Sequence, residues 1–250
     1  MVDKFEILLG EDMAHQPVLW DLDVQPHTLI GGSSGSGKTE LTKLAAMQCI
    51  KKGADVFILD MKGSIDFLAD FWRDNCIIVL GKADISRKLS ELAEEVERRF
   101  PLFIAAKCNT LGAYNQKMSG LGELPLKRYV IFADEVSQLL DKTALCKDEK
   151  AVIDAISSSF QTIYRMGRSV GVNCWLASQR PSAEYIAGDI RSNADLKIVG
   201  RCDETLSEII LGNRDAAKRI PKKAQGRFLT NDGTLFRAYL FDDKADMFRR

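Results

Sequence analysis

An eight-residue segment close to the start of the 250-residue chain reads Gly32-Ser33-Ser34-Gly35-Ser36-Gly37-Lys38-Thr39. It fits the pattern G-x-x-x-x-G-K-[ST], in which glycines let backbone N–H groups approach phosphate oxygens. An apolar run at residues 28–30 precedes the segment and a helical pattern follows it, so the helix dipole would favour a bound anion. Lys38 would contact the β- and γ-phosphates, and the Thr39 hydroxyl would ligate Mg²⁺. The segment therefore predicts a site for ATP and Mg²⁺.

Short apolar runs alternate with longer helical patterns along the rest of the chain. The runs lie at residues 28–30, 56–59, 77–80, 129–133, 173–177 and 196–199, and the helical patterns include 38–52, 84–100 and 152–169. This alternation is typical of an α/β fold whose mostly parallel sheet carries helices on both faces. Asn231-Asp232-Gly233, between runs at 226–229 and 235–241, predicts a C-terminal antiparallel hairpin. We expect the second helix to end or kink at Pro101, and residues 111–127 to form a loop.

Two carboxylates follow the buried run at residues 129–133, about 95 residues after the phosphate segment. Parallel strands present their carboxyl ends to one crevice, so Asp134 and Glu135 should lie beside the phosphates. Asp134 would hold Mg²⁺ through water, and Glu135 would polarise the water that attacks the nucleotide. Gln179 ends the next apolar run. It would either report the γ-phosphate or orient that water, and the alternative is a surface amide in a turn.

Composition limits the class of protein. The chain has 35 basic and 35 acidic residues, 46% apolar residues and 28% charged residues, as an ordinary globular domain has. Zero net charge argues against a monomer that coats DNA, but it allows a ring in which local cations contact phosphates. The six cysteines are spread out, without C-x-x-C pairs, as in a reduced cytosolic protein. No stretch reaches the roughly 18 apolar residues of a membrane span, so we expect a cytoplasmic protein that only a partner would recruit to the membrane.

Several segments in order resemble the motor domain of the FtsK/SpoIIIE family of DNA translocases, from about residue 10 to residue 241. The phosphate segment is one of them. The others are Asp60-Met61-Lys62-Gly63 (family D-P-K), residues 95–100 (E-M-x-R-R-Y), Tyr114-Asn115 (Y-N), residues 164–172 (A-R-x-x-R-x-x-G-I), Ser178-Gln179-Arg180-Pro181-Ser182 (T-Q-R-P-S) and residues 190–193 (I-x-x-N). Met61 stands where the family has proline, and Val96 stands where it has methionine.

The resemblance implies one ATPase domain over residues 1–250, with a lead-in segment at 1–27 and a RecA-like P-loop core at 28–241. It implies a homo-oligomeric ring, expected to be a hexamer, that hydrolyses ATP to move double-stranded DNA. It also implies that Arg99, or its neighbour Arg98, completes the nucleotide site of the next subunit. The alternative is that the two arginines offset Glu94, Glu95 and Glu97 along one helix. We do not expect this chain to contain the family's membrane-spanning part, its domain before the motor or its winged-helix domain, so chromosome segregation at a division septum is disfavoured. Conjugative transfer or DNA partitioning, with a membrane-anchored or relaxosome partner, is the expected setting.

The sequence also leaves open other functions for the chain and other roles for several of its cations. A motor of the same family could act on protein substrates in a secretion or coupling system. A small-molecule kinase and a GTPase are disfavoured, because no lid-like arginine cluster and no Asn-Lys-x-Asp segment appear. Five cations at residues 218–227 would contact a phosphate backbone, form a subunit interface or remain a solvated loop. Lys62 would either sense the nucleotide or be a surface lysine. Arg165 and Arg168 would either read the nucleotide state or cap the C-terminus of their helix.

Overall fold

A ten-stranded mixed sheet forms the centre of the protein. The structure is a computed structural model that describes residues 4–179, 188–242 and 247–249. Six neighbouring strands are parallel, and their bounds are β3 (His27–Gly31), β4 (Asp55–Asp60), β5 (Ile77–Leu80), β6 (Tyr129–Ala133), β7 (Val172–Ser178) and β8 (Leu196–Val199). Their order across the sheet is β8-β3-β7-β6-β4-β5. The predicted α/β fold with a mostly parallel sheet is confirmed.

Four antiparallel strands extend the sheet beyond β8. They are β1 (Glu6–Asp12), β2 (Pro17–Asp21), β9 (Arg227–Thr230) and β10 (Leu235–Ala238), in the order β2-β1-β10-β9. The β9–β10 pair is the predicted hairpin. The predicted run at 235–241 is wrong as one strand, because β11 (Leu240–Asp242) leaves the sheet and pairs with β12 (Met247–Arg249). Residues 1–27, expected only as a lead-in, supply β1 and β2 and so join the sheet through β10.

Nine helices connect the strands within the described residues. Their bounds are α1 (Lys38–Lys51), α2 (Asp70–Asn75), α3 (Lys82–Ala106), α4 (Leu111–Gly120), α5 (Val136–Leu140), α6 (Lys147–Val170), α7 (Gly188–Ser192), α8 (Glu204–Leu211) and α9 (Asp215–Arg219). A single 3-10 turn spans Ile65–Phe67. The helices cover both faces of the sheet, because alternate residues of the central strands belong to two separate hydrophobic clusters.

The region after residue 84 departs from the predicted loop and from the first of the two alternatives for Pro101, an end of the helix or a kink. Helix α3 does not end at Pro101 but continues to Ala106, because Phe103 and Ala106 prolong its buried face. The predicted loop at 111–127 contains α4 instead, which begins after Thr110, whose hydroxyl accepts a hydrogen bond from the N–H of Ala113. Leu111 and Tyr114, three residues apart, are its buried anchors. Two apolar anchors at helical spacing are enough here, because the helix packs on an existing core.

Tryptophans contribute to the core of the protein rather than to its surface. Trp20, Trp72 and Trp175 are all fully buried, and the rings of Trp20 and Trp175 lie 5.1 Å apart. None of the helices in the described ranges is both long enough and apolar enough to cross a lipid bilayer.

Candidate nucleotide site

The phosphate loop joins β3 to α1 at the carboxyl edge of the sheet. Gly37 lies at the N-cap of α1 with φ of 102°, a conformation that L side chains rarely adopt. A Cβ at this position would also lie 3.2 Å from the amide nitrogen of Gly226. The Lys38 Nζ donates to the carbonyl oxygens of Gly32 at 2.5 Å and Ser33 at 3.2 Å. The loop thus holds its lysine in place and leaves backbone N–H groups of the helix start for an anion.

The charge of Lys38 depends on its surroundings. Burial lowers the pKa of this amine, and the carboxylates of Glu135 and Asp134 oppose that change by raising the pKa. Lys62 and Arg201 lower the pKa further because both are positive. The two acids after β6 and the cations after β4 and β8 therefore act electrostatically on the phosphate-loop lysine.

Thr39 and Asp134 meet as the sequence predicts. The Thr39 hydroxyl donates to Asp134 Oδ1 at 3.1 Å and Oδ2 at 3.3 Å, although 95 positions separate the two residues. A hydroxyl and a carboxylate are hard oxygen ligands of the kind that Mg²⁺ prefers, and Mg²⁺ usually keeps waters and substrate phosphates as its other ligands. The residues present therefore fit Mg²⁺, with Thr39 and Asp134 as the groups that would hold it.

Glu135 is buried next to Asp134, where it forms the N-cap of α5. Its carboxylate accepts hydrogen bonds from the Ser137 and Ser178 hydroxyls, the latter at 3.2 Å. The backbone N–H of Gln179 donates to the same carboxylate at 3.1 Å from Oε1 and 3.2 Å from Oε2. These donors fix the orientation of the carboxylate at the edge that holds the phosphate loop, as a general base requires.

Gln179 lies beside Glu135 at the end of β7, so the two predicted site residues are neighbours. The contact recorded is between the Gln179 backbone and the carboxylate, and the role of the amide side chain stays a prediction. The remainder of the segment that resembles T-Q-R-P-S, at Arg180, Pro181 and Ser182, lies outside the described residues.

Lys62 proves to be part of the site. Its Nζ donates to Asp134 Oδ2 at 2.6 Å and to Asp66 Oδ2 at 3.0 Å, and its side chain is 28% exposed. Asp60, the last residue of β4, holds the turn by accepting from the backbone N–H groups of Lys62, at 2.7 Å, and Ser64. The interpretation as a surface lysine is therefore wrong. The sequence shows a lysine just after a parallel strand, which is a weak indication of a site residue. Its partner, Asp134, is determined by the pairing of β4 with β6.

Arg201 is a residue that the sequence did not single out. It follows β8 at the same edge, and its Nη2 donates to the Ser34 carbonyl at 2.5 Å. Its own carbonyl accepts from the Ser33 N–H at 2.7 Å. In the sequence, Arg201 is simply an arginine just after a strand. It contacts the phosphate loop because β8 is paired with β3.

Arg99 corrects a prediction. The side chain is 1% exposed, donates to Glu95 Oε1 and to the Val170 carbonyl at 2.7 Å each, and stacks 4.5 Å from the ring centre of Tyr129. These partners hold the guanidinium inside the subunit, as expected for an arginine that offsets the glutamates of its own helix. Arg98 is the exposed member of the pair, and it forms an ion pair with Glu95.

Arg165 and Arg168 also lie away from the site. Both are exposed near the C-terminal end of α6, which is joined through Gly171 to the first residue of β7. That place is the amino edge of the parallel sheet, and the phosphate loop occupies the carboxyl edge. The helix-capping interpretation therefore fits these arginines, and nucleotide sensing within the same subunit does not.

The parallel sheet, the phosphate loop and the two adjoining carboxylates together define a RecA-like P-loop ATPase domain. A model of the FtsK/SpoIIIE family matches residues 2–132, just over half of the chain. The chain belongs to the FtsK/SpoIIIE family.

Curated relatives in this family are DNA translocases called FtsK. The protein of Borreliella burgdorferi is 28% identical over 227 residues, which cover 88% of this chain and 28% of the relative. The protein of Staphylococcus epidermidis is 27% identical over 237 residues and covers the same shares. The chain thus spans little more than a quarter of the length of these relatives.

Solved structures share the fold along nearly the whole chain. The pCW3 conjugation coupling protein TcpA, in a monomer form with ATPγS, superposes with a TM-score of 0.90 at 29% identity, covering 98% of this chain and 68% of TcpA. The cytoplasmic domain of the type VII secretion ATPase EccC from Thermomonospora curvata gives a TM-score of 0.75 at 24% identity, covering 94% of this chain and 28% of EccC. The second likeness shows the shared fold alone.

Proposed function

We propose that this chain is the motor of an ATP-driven ring that translocates double-stranded DNA in conjugative transfer or DNA partitioning. The observation that carries the proposal is the likeness to the conjugation coupling protein TcpA over 98% of the chain, at 29% identity. The relatives called DNA translocases support the same substrate. The motor would work in the cytoplasm, where a membrane-anchored or relaxosome partner would recruit it.

The proposed hydrolysis would use the groups described at the candidate nucleotide site. Lys38 would neutralise the β- and γ-phosphates, and Thr39 and Asp134 would hold Mg²⁺, which supplies further charge neutralisation when bound. The Glu135 carboxylate would accept a proton from water as the water oxygen attacks the γ-phosphorus. The bond from that phosphorus to the β–γ bridging oxygen breaks, and ADP and phosphate leave. Gln179 adjoins Glu135, and its amide would orient the same water.

A basic surface offers a place for the DNA backbone. It consists of Lys218, Arg219, Lys222, Lys223 and Arg227, which are all exposed. Across residues 4–179 and 188–242, no carboxylate forms an ion pair with any of the five. Their charge is therefore available to phosphates, and a ring of six subunits would surround one duplex with several such surfaces. A single chain of zero net charge would bind DNA weakly, but in a hexamer the local cations of six subunits would act on one duplex together.

ATP hydrolysis measured with and without linear duplex DNA tests the proposal. We expect duplex DNA to stimulate phosphate release, and we expect the gain to shrink steeply between about 50 and 200 mM salt because binding releases counterions. Displacement of a triplex-forming strand from the duplex distinguishes translocation from simple stimulation. The Lys38→Ala variant is the control, since it should lose nucleotide turnover at every DNA concentration.

Each result has a defined consequence. If duplex DNA does not change the rate of ATP hydrolysis at any salt concentration, the proposed DNA motor is overturned. That result would favour a protein substrate in a secretion or coupling system. Stimulation without triplex displacement would retain DNA binding but overturn translocation. Loss of stimulation after Lys222→Glu and Lys223→Glu, with basal hydrolysis retained, would support DNA contact at the basic surface.

A further inference from the structure

Arg201 holds the phosphate loop from two sides. Its backbone carbonyl accepts from the Ser33 N–H at 2.7 Å, and its guanidinium Nη2 donates to the Ser34 carbonyl at 2.5 Å. Nη1 donates to the Lys222 carbonyl at 3.3 Å. The residue thus connects the end of β8, the phosphate loop and the segment before β9. A local change at the phosphates would reach all three through this one side chain.

Within the described residues, the hydrogen-bond partners of the Arg201 guanidinium are neutral. Both acceptors of its guanidinium are carbonyl oxygens, and no carboxylate forms an ion pair with it in the described parts of the chain. The side chain is partly exposed. A guanidinium binds phosphate oxygens more strongly than neutral carbonyls, since the hydrogen bonds are then assisted by charge on both partners. An anion that enters the loop can therefore compete for Arg201.

The position of the guanidinium suits such an exchange. A Cβ at Gly35 would lie 3.3 Å from Arg201 Nη2, so the absence of a side chain there lets the guanidinium lie against the loop. Arg99, the arginine expected to neutralise charge on the phosphates, is instead bound inside the subunit.

We propose that Arg201 reads the terminal phosphate of the nucleotide bound by its own subunit, by exchanging the Ser34 and Lys222 carbonyls for phosphate oxygens. This inference rests on the proposed ATPase function and adds a residue that separates ATP from ADP. A planar guanidinium can donate two parallel hydrogen bonds to one phosphate group. Recognition of the phosphate then depends on the orientation of the guanidinium as well as on its charge. Lysine at this position would keep the charge but lose the fork.

The test compares affinities for ATPγS and ADP, each with Mg²⁺, by calorimetric titration of the full chain. Arg201→Gln retains hydrogen-bond donors and removes the charge. Lys117→Gln is the control, because the exposed Lys117 also donates to a main-chain carbonyl, that of Ala106 at 2.6 Å, and belongs neither to the nucleotide site nor to the basic surface. We expect Arg201→Gln to weaken ATPγS binding about tenfold, or ~1.4 kcal/mol, and ADP binding less than about threefold.

The outcomes are separable. If Arg201→Gln lowered the affinities for ATPγS and ADP equally, Arg201 would only stabilise the structure of the loop, and the proposal would be overturned. Unchanged affinities for both nucleotides would also overturn it. If the glutamine variant does not fold, as thermal unfolding would reveal, Arg201→Lys replaces it, with a smaller loss expected for ATPγS alone. A wild-type chain that binds neither nucleotide would overturn the proposed function itself, and this inference with it.

Discussion

Replacing Lys62 with methionine removes the cation that contacts the proposed metal-holding carboxylate. Burial lowers the pKa of Lys62, but hydrogen bonds and charges from Asp134 and Asp66 outweigh it and raise the pKa above its ordinary value. The amine is therefore charged at neutral pH. Asp134 is 4% exposed, so this ion pair is less screened than a surface pair. Mg²⁺ held by Asp134, as proposed, would have to bind this carboxylate in the presence of that charge.

The magnitude follows from the contacts. A hydrogen bond to a charged group contributes about 1.5–3 kcal/mol. Lys62 can retain its 3.0 Å bond to Asp66 when it releases Asp134, so the cost of release lies near the lower end of that range. We therefore expect Lys62→Met to lower the Mg²⁺ concentration that gives half-maximal nucleotide binding by roughly tenfold, which corresponds to about 1.4 kcal/mol.

The assay titrates Mg²⁺ into the protein and a fluorescent ATP analogue at fixed concentrations, which reports binding without turnover. Lys82→Met is the matched control, because the partly buried Lys82 donates to a neutral acceptor, the Asp141 carbonyl, at 3.2 Å. It should leave the Mg²⁺ midpoint unchanged. A Lys62→Met midpoint equal to or above that of the wild type would refute competition between lysine and metal at Asp134.

Three further changes test the site and the core. Glu135→Gln should keep ATPγS affinity but reduce phosphate release by about 10²–10⁴-fold, since the base is lost and an acceptor remains; near wild-type turnover would remove Glu135 as the base. Arg99→Met should cost about 3 kcal/mol of unfolding free energy in urea, because it removes the side-chain donor to the buried Val170 carbonyl and one of the two arginine partners of Glu95. Arg98→Met should cost under about 1 kcal/mol, and equal losses would contradict the structural role. Burial, with a smaller contribution from the charge of Arg168, lowers the pKa of His27 from 6.5 to about 3. The unfolded chain then binds the extra proton first, so stability should fall by up to about 1.4 kcal/mol per pH unit as pH drops from 6.5 towards 3, and His27→Asn should flatten this slope in urea titrations. An unchanged slope would show that other groups dominate acid unfolding.

Residues that act together within one short segment can be assigned from the order of amino acids alone. The phosphate loop is such a case, because the roles predicted for Gly37, Lys38 and Thr39 depend only on local backbone geometry and the start of a single helix. Asp134 needed one additional rule, that parallel strands end at a common edge, and its contact with Thr39 confirms the expectation. The alternation of apolar runs and helical patterns was likewise enough for the fold class.

Positions whose role depends on which strands are neighbours could not be assigned in this way. Lys62 pairs with Asp134 because β4 lies beside β6, and Arg201 meets the phosphate loop because β8 lies beside β3. Strand order results from the packing of the whole chain, and the sequence pattern of a single strand does not specify it. Arg99 shows the reverse case: its motif predicted an outward role, but α3 turns the side chain towards Val170 and Tyr129. Burial of a long cation is determined by the tertiary structure, because it requires partners that come from distant parts of the chain.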